Sequence, residues 1–545
     1  MARPVDRTGV PVISVTYGPR SALPPPDRAA SGHTGPARIR RTRHAGETHL
    51  TDPVDGGVPA PGHDADRTGE DGTQEMARGA RWAVGTAAVL LVLGAGGYAA
   101  ADVLDLAPGW VTLAAPDPAP APFPTLDVAP APEPAPVLPE LDPQAPLPSA
   151  EEVTAIARSA ATDPRLGAST TVVVTDVLTG QVLADVGGAE PQEPASTTKL
   201  LTAAAALTVL GAERTLTTTV VQPEPGTIVL VGGGDMMLAA GSGDPAVING
   251  RAGLADLAYA TAQALAPSGL TQVTLGLDDT LFTDPAWNPG WAPDHNRYVA
   301  PISALAVNVG HTSDHVYSVR QADPALEAAR TFAAALAEQG ITASAPTRTT
   351  APEGATLLAQ VHSAPVREIV RYMAQHSDNT VADALGRLVA AERGEPASFE
   401  GATRAVLASV ADLGLDVSGT TIADCSGLAV GSRIPARLLV DLLVLAATPG
   451  HADLVPVATD LAVGGWTGTL NDRFTTGPGH GLVRGKTGSL PGVTSLAGTV
   501  LTQGGRLLAF AVLADETGAV GQDRPRAAVD EVVTRLAALA APPAG

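Results

Sequence analysis

Apolar positions recur with more than one period along this chain, and each period predicts its own kind of element. Behind Ser149 and Glu152, which read as a capping box, apolar residues follow a helical spacing from Ala150 to about Ala161. Two β-branched runs, Thr170 to Asp176 and Gln181 to Val186, flank Leu178-Thr179-Gly180 and predict a hairpin. The alanine- and leucine-rich run after Pro194, from Ser196 to Leu207, predicts a helix with Ser196 in its first turn. From about Thr215 to Thr350 the pattern changes to short valine and threonine strands separated by glycine, with the sharpest turn at Gly232-Gly233-Gly234-Asp235. Helical patterns resume at Pro365 to Ala374 and Thr380 to Ala391, two stretches joined by His376-Ser377-Asp378-Asn379. Gly492 to Leu501 and Arg506 to Ala514 are strand-like, and Arg524 to Ala541 closes the chain as a helix with Val529, Val532, Val533, Leu536 and Leu539 on one face.

A helix and hairpin at the start, with strands and a helix at the end, predict one sheet whose first and last elements meet, with a helical half between them. The fold class is therefore α+β, with residues 150–214 and 351–545 in one domain and 215–350 as a β-rich insert. Upstream, residues 1–81 lack apolar periodicity and read as a disordered tail. Trp82 to Ala101 carries no charge, and its twenty residues at about 1.5 Å each reach roughly the 30 Å of a bilayer core. Arg78 and Arg81 precede it, so a single-pass anchor would keep the tail in the cytoplasm and the rest outside the membrane. Met76 is a candidate alternative start, and Ala99-Ala100-Ala101 a candidate signal-peptidase site that would release the mature chain. The Pro-Ala repeats of residues 102–149 predict an extended linker.

Charge narrows the partners. The chain has 34 basic and 56 acidic side chains, and residues 1–81 are nearly balanced with 11 arginines and 10 acids, so the excess acid lies beyond them. That argues against a nucleic-acid partner and against electrostatic docking on anionic lipid. One cysteine, Cys425, permits no intrachain disulfide and no two-cysteine metal site, and there is no His-Glu-x-x-His, so no metal or other cofactor is expected.

The chemistry is carried by three short motifs. Ser196 and Lys199, three residues apart on one helix, bring a hydroxyl and an amine together, and a partly neutral amine can take the serine proton. Lys199 and Lys486 are the only lysines in the sequence, every other basic residue besides histidine being arginine, which cannot give up its proton at physiological pH. Ser377-x-Asn379 and Lys486-Thr487-Gly488 complete the set, placing the site between the helical half and the sheet edge. Each has a plainer reading: Ser377-Asp378-Asn379 as a capping loop, Lys486-Thr487-Gly488 as a strand entry with a bulge at Gly488. Asp424-Cys425-Ser426-Gly427 reads as a structural turn with Cys425 a buried filler, His376 as a bystander, and Tyr298 as pocket wall or core.

Taken together in this order, the three motifs resemble those of the penicillin-recognising serine enzymes. Over roughly residues 150–540 the chain is similar to the D-alanyl-D-alanine carboxypeptidases and endopeptidases of the class C low-molecular-mass penicillin-binding proteins, peptidase family S13. Gly232-Gly233-Gly234-Asp235, Asp278 to Phe282, Tyr298 to Leu305, Asp424 to Leu428 and Gly468-Thr469-Leu470 add to the resemblance. It implies the serine β-lactamase-like fold, an antiparallel sheet with flanking terminal helices beside a helical half. It implies Ser196 as the acylated nucleophile, Lys199 as its base, Ser377 as proton shuttle, Asn379 as holder of the substrate amide and Lys199, and Lys486 as source of the local field. Thr487, Gly488 and Ser489 would bind the substrate, Thr487 and Ser489 through its terminal carboxylate, with the Ser196 and Ser489 N–H groups as oxyanion hole. The implied substrates are peptidoglycan stem peptides, with β-lactams as covalent inhibitors. The alternatives are a β-lactamase or esterase on the same fold, or a wall-binding scaffold that does not turn over. The 181 residues from Ser196 to Ser377, and the segment Met236 to Pro245, imply an insert unlike that of fully inserted members.

Overall fold

The structure, a computed structural model, describes residues 90–104, 106, 141–283, 285–315, 317–518 and 521–540. The chain divides at Pro130 into two units. In the first, the described residues contain one apolar helix, Leu90–Val103, and among the described residues no single helix is long and apolar enough to cross a membrane. The stretch read as an anchor, Trp82 to Ala101, begins outside the described residues, where the tail and most of the linker also lie.

The second unit is built on a six-stranded antiparallel sheet in the order Ala462–Val463, Val483–Leu490, Val493–Leu501, Leu507–Ala514, Thr170–Asp176, Val182–Val186. The last strand of the chain thus pairs with the first, as the sequence predicts. Behind them Arg506 grips Asp176 through Nε–Oδ1 at 2.6 Å and Nη2–Oδ2 at 2.7 Å, and donates from Nη1 to the Ala145 carbonyl at 3.0 Å. Burial pushes the Asp176 carboxyl up, and the Arg506 and Thr179 hydrogen bonds outweigh it to leave the group below its ordinary range.

Side chains alternate across the sheet, and both faces are buried. Val172, Val174, Leu508, Phe510 and Val512 pack with the terminal helices Ala150–Ala161 and Asp523–Ala537. Val173, Ala509, Ala511 and Leu513 face the helical half, where small residues let helix Ala436–Ala447 come close. The first helix begins as its sequence predicts, the Ser149 hydroxyl accepting from the Glu152 N–H at 3.4 Å.

A second sheet, in the order Thr347–Arg348, Gln272–Asp278, Thr227–Val231, Thr215–Glu224, Thr356–Pro365, shares a separate core with helices Leu254–Leu265 and Pro324–Glu338. Its last strand lies past the boundary read at Thr350. The Gly232-Gly233-Gly234 run leads into a short strand, Asp235–Leu238, and a Cβ on Gly233 would lie 2.0 Å from the Thr217 carbonyl oxygen. Met236 and Met237 then sit in the core of the helical half, tying the insert to it.

Candidate active site

The helix that carries Ser196 does not start as an α-helix. Ala195–Thr198 forms a 3-10 turn, Lys199–Ala205 is α-helical and Ala206–Leu210 widens to a π-helix. Ala195 sits at φ 47°, left-handed backbone for a non-glycine residue. Its surroundings hold it there. Thr197 Oγ1 donates to the Pro194 carbonyl at 2.8 Å and Thr198 Oγ1 to the Ala195 carbonyl at 2.9 Å. Two glycines press on the same turn: a Cβ on Gly427 would lie 1.9 Å from the Ala195 oxygen, and one on Gly488 would lie 2.7 Å from the Pro194 oxygen and 2.0 Å from Ser495 Oγ. A strained turn overdetermined from both sides fits a residue whose position matters for chemistry.

On this turn the Ser196 hydroxyl is half-buried, 3.0 Å from Lys199 Nζ. Lys199 is buried, and its Nζ also donates to Asn379 Oδ1 and to the Ser426 carbonyl, each at 2.7 Å. Three neighbours occupy the three donor positions of an ammonium group. Burial draws its pKa down to about 8, while Asp424, Asp383 and Asp378 pull the other way. At neutral pH this leaves a usable fraction of neutral amine, the state a proton acceptor needs.

Lys486, on strand Val483–Leu490, is equally buried and donates to Ser377 Oγ and to the Thr487 carbonyl, both at 2.8 Å. Burial, and then the charge of Lys199, push it well below its ordinary value. The two lysines therefore share the Ser-x-Asn segment, one taking Asn379 and the other Ser377. Ser377, in the link between the two helical stretches, ends Val366–His376 in a left-handed conformation at φ 55°. Asp378 then caps Asn379–Glu392 by accepting from the Val381 N–H at 2.9 Å, and Asn379 Nδ2 donates to the Tyr298 carbonyl at 3.0 Å. The segment is a capping loop and part of the cluster at once.

The remaining sequence candidates lie along the same strand. Thr487 Oγ1 meets Thr469 Oγ1 at 3.0 Å, while Ser489 is exposed and accepts from Arg526 Nη2 at 3.2 Å. Gly488 is buried and pairs in register with Ser495, so no bulge forms there. Its lack of a side chain instead lets the strand lie against the nucleophile's turn.

Sequence reasoning missed the floor of this site. Asp424 is fully buried and accepts from the N–H groups of Ser426 at 3.0 Å, Gly427, and Ala429 at 2.7 Å, and from Trp291 Nε1 at 2.7 Å. Asp383 accepts from the Cys425 N–H at 2.9 Å, and Thr202 Oγ1 donates to the Cys425 carbonyl at 2.6 Å. Burial, then Asp424, raise the Asp383 carboxyl well above its usual range. Together these bonds present the Ser426 carbonyl to Lys199. The Asp424-Cys425-Ser426-Gly427 turn was the available signal, but nothing in it marks a backbone oxygen as a lysine's partner. Cys425 is buried with its thiol pushed well above its ordinary pKa by burial and both acids, which suits an inert filler.

With this geometry in hand, comparison with known proteins is specific. The D-Ala-D-Ala carboxypeptidase 3 (S13) family matches residues 153–318 and 312–539. A carboxypeptidase of Mycobacterium tuberculosis is 38% identical over 431 residues, 77% of this chain and 89% of its own. Carboxypeptidase DacB of Mycolicibacterium smegmatis is 36% identical over 406 residues, 73% of this chain and 86% of its own. The crystal structure of penicillin binding protein 4 (dacB) from Haemophilus influenzae has the same fold, with a TM-score of 0.58 at 21% identity, covering 70% of this chain and 98% of that one. The chain belongs to the D-Ala-D-Ala carboxypeptidase 3 (S13) family.

Proposed function

We infer that the protein is a serine-type D-Ala-D-Ala carboxypeptidase and endopeptidase acting on peptidoglycan stem peptides, and that Ser196 forms its acyl-enzyme. The observation that carries the mechanism is the 3.0 Å contact between Ser196 Oγ and a buried Lys199 whose pKa is drawn to about 8. Lys199 takes the serine proton as Oγ attacks the carbonyl of the penultimate D-alanine. Ser377, bonded to Lys486, passes a proton to the departing amine, and Asn379 fixes Lys199 through Oδ1 while the Nδ2 hydrogen not given to the Tyr298 carbonyl is assigned to the substrate amide. The N–H groups of Ser196 and Ser489 are assigned to the developing oxyanion. Lys486, Thr487 and Ser489 are assigned to the terminal carboxylate, with Gly488 giving the strand its approach. Water then frees the acyl group, and β-lactams acylate the same serine because their strained amide mimics the scissile bond.

The site is assigned to the outer side of a cell membrane, on a single-pass anchor at Trp82 to Ala101. Support for this comes from the uncharged run behind Arg78 and Arg81 and from a substrate that lies in the wall. Carbonate extraction of membranes from expressing cells, with N-terminal sequencing of the chain, tests anchor against release.

The activity is tested by labelling the full-length chain with a fluorescent penicillin beside Ser196→Ala. A stable adduct on the native chain alone, with D-alanine released from a pentapeptide, is the expected result. Rapid β-lactam turnover without D-alanine release would favour a β-lactamase, and folded protein showing neither would overturn the catalytic reading.

A further inference from the structure

At the edge of the first sheet, beside the strand that carries Lys486, stands a side chain that the catalytic cluster does not use. Between strands Ala462–Val463 and Val483–Leu490 the chain runs through a 3-10 turn, Gly468–Leu470, and a loop that returns at His480. Two contacts set this stretch on the rim of the cleft. Thr469 Oγ1 meets Thr487 Oγ1 at 3.0 Å, and a Cβ on Gly468 would lie 2.6 Å from the carbonyl oxygen of Gln375, two residues before Ser377. Trp466 stands three residues before Thr469 and is 67% exposed.

A single exposed apolar side chain is ordinary on a protein surface, but this one is fixed in place. Trp466 Nε1 donates to His480 Nε2 at 3.0 Å, and His480 Nδ1 donates to the Phe474 carbonyl at 3.1 Å, so one imidazole tautomer satisfies both. The two rings meet edge to face, 5.9 Å between centres at 79°. Gly465 makes room for the imidazole, since a Cβ there would lie 2.3 Å from Nδ1. The backbone is tied as well, the Trp466 N–H donating to the Val463 carbonyl at 3.0 Å and the Gly481 N–H to the Gly464 carbonyl at 2.9 Å. Ordering that a ligand would otherwise impose on the indole is therefore complete in the free protein.

Size and surroundings choose the guest. Among the described residues from Ala462 to Leu490, Trp466 is the one large apolar side chain exposed to solvent, and the exposed residues that follow on the same loop, Asn471, Asp472, Thr475 and Thr476, are polar. One ring falls far short of the roughly 800 Å² that a stable protein partner covers on each side. A pyranose matches it. Its axial C–H groups form an apolar face of ring size, drawn to the negative face of the indole, while its hydroxyl rim meets water or polar side chains.

We propose that Trp466, fixed by His480, is a saccharide-stacking platform that binds an N-acetylhexosamine ring of the glycan strand to which the stem peptide is attached, apart from the residues assigned to the stem itself. The proposal rests on the peptidase reading above.

The test gives the full-length chain one pentapeptide in three forms: free, on a disaccharide, and on a longer glycan chain. The native protein should favour the glycan-borne forms by about 3- to 10-fold in kcat/KM, carried by KM, as for one aromatic stacking contact. Trp466→Ala should bring the three forms level, Trp466→Phe should keep part of the preference, and His480→Leu, which frees the indole, should reduce it. Fluorescent penicillin, which bears no sugar, reports in each variant whether the cleft is intact. Equal rates on all three forms by the native chain would overturn the platform, whatever becomes of the variants. A preference unchanged in a Trp466→Ala chain that still labels would overturn the role of Trp466, and one unchanged in His480→Leu would overturn the fixing role of His480. Absence of both penicillin labelling and D-alanine release in the native chain would instead bring down the peptidase reading, and this proposal with it.

Discussion

Lys199 and Lys486 face one another across the same cleft, each buried and each bonded to one residue of Ser377-x-Asn379, yet their surroundings differ in sign. Around Lys199 stand Asp424, Asp383 and Asp378, all of which support its charge. For Lys486 the neighbouring charge is that of Lys199, which opposes its own. Burial lowers both, but at Lys199 the acids oppose it and leave the amine at about 8, while at Lys486 the charge of Lys199 adds to it. One amine is therefore poised between its two protonation states near neutral pH, and the charged form of the other gains most from a negative charge placed beside it. A substrate ending in a carboxylate supplies that charge. The division of labour between base and anion holder thus follows from what each lysine is packed against, since the two side chains are chemically identical.

The largest effect should come from removing the base while keeping a cation. Lys199→Arg retains positive charge beside Ser196 but cannot accept a proton, so the rate of acylation should fall by roughly 10²- to 10⁴-fold, the range for loss of a general base. Stopped-flow labelling with a fluorescent penicillin measures it. A rate within tenfold of native would show that Lys199 acts through its charge alone and would erase the contrast between the two lysines.

At the other lysine a smaller and substrate-selective loss is expected. Lys486→Gln removes the charge but leaves a donor for Ser377, so kcat/KM on peptides ending in a carboxylate should drop about 10- to 100-fold. The same peptides ending in an amide, poor substrates at the outset, should lose little. Equal loss on both would place the role of Lys486 in the proton path and not in carboxylate recognition.

Much of this arrangement was legible in the chain. The three-residue spacing of Ser196 and Lys199, the order of the three motifs, and the scarcity of lysine located the cluster, because side-chain chemistry and helical period are written in residue identity. The hairpin at Thr170–Asp176 and Val182–Val186 and the closing strands followed from β-branched and apolar runs in the same way. What was not legible depends on backbone groups and on packing between distant segments. The carbonyls of Ser426 and Tyr298, which hold Lys199 and Asn379, belong to residues whose side chains do other things. The 3-10 start of the nucleophile helix is set by contact with Gly427 and Gly488, more than 200 residues away in sequence, and no local propensity predicts it. Which lysine pairs with which end of Ser377-x-Asn379 is likewise decided by the docking of sheet on helices.

Asp424 offers a way to bring the two lysines closer in character. Asp424→Asn keeps the shape but removes the foremost of the charges that support protonated Lys199, and it turns an amide NH₂ toward backbone N–H donors that had met an oxygen. The acid limb of the acylation rate should move to lower pH by about one unit, as expected when a neighbouring opposite charge is lost. The fold should lose roughly 2–3 kcal/mol from donors left without acceptors. Chemical denaturation and a pH–rate profile separate the two effects. An unmoved acid limb in a destabilised variant would assign Asp424 to loop structure alone.

The smallest and most discriminating effect concerns where the proton sits when substrate binds. Folding takes Lys199 from its unfolded value of 10.5 down to about 8, so between those values the unfolded chain holds more protons than the folded one. Stability should therefore rise with pH across that window, with the cost of burying the charged amine fully present below about 8. Lys486 is displaced in the same direction and adds to the same trend. A carboxylate bound beside Lys486 favours the charged form of that amine, and charge on Lys486 disfavours charge on Lys199 in turn, so binding shifts proton affinity from the base to the anion holder. Since kcat/KM reports groups in the free enzyme and kcat those in the complex, the acid limb of kcat should lie below that of kcat/KM for a peptide ending in a carboxylate. For the same peptide ending in an amide the two limbs should coincide near pH 8, and in Lys486→Gln they should coincide for both. A displaced limb for the amide peptide, or coincident limbs for the carboxylate peptide in the native chain, would show that the lysines titrate independently and that substrate does not prime its own attack.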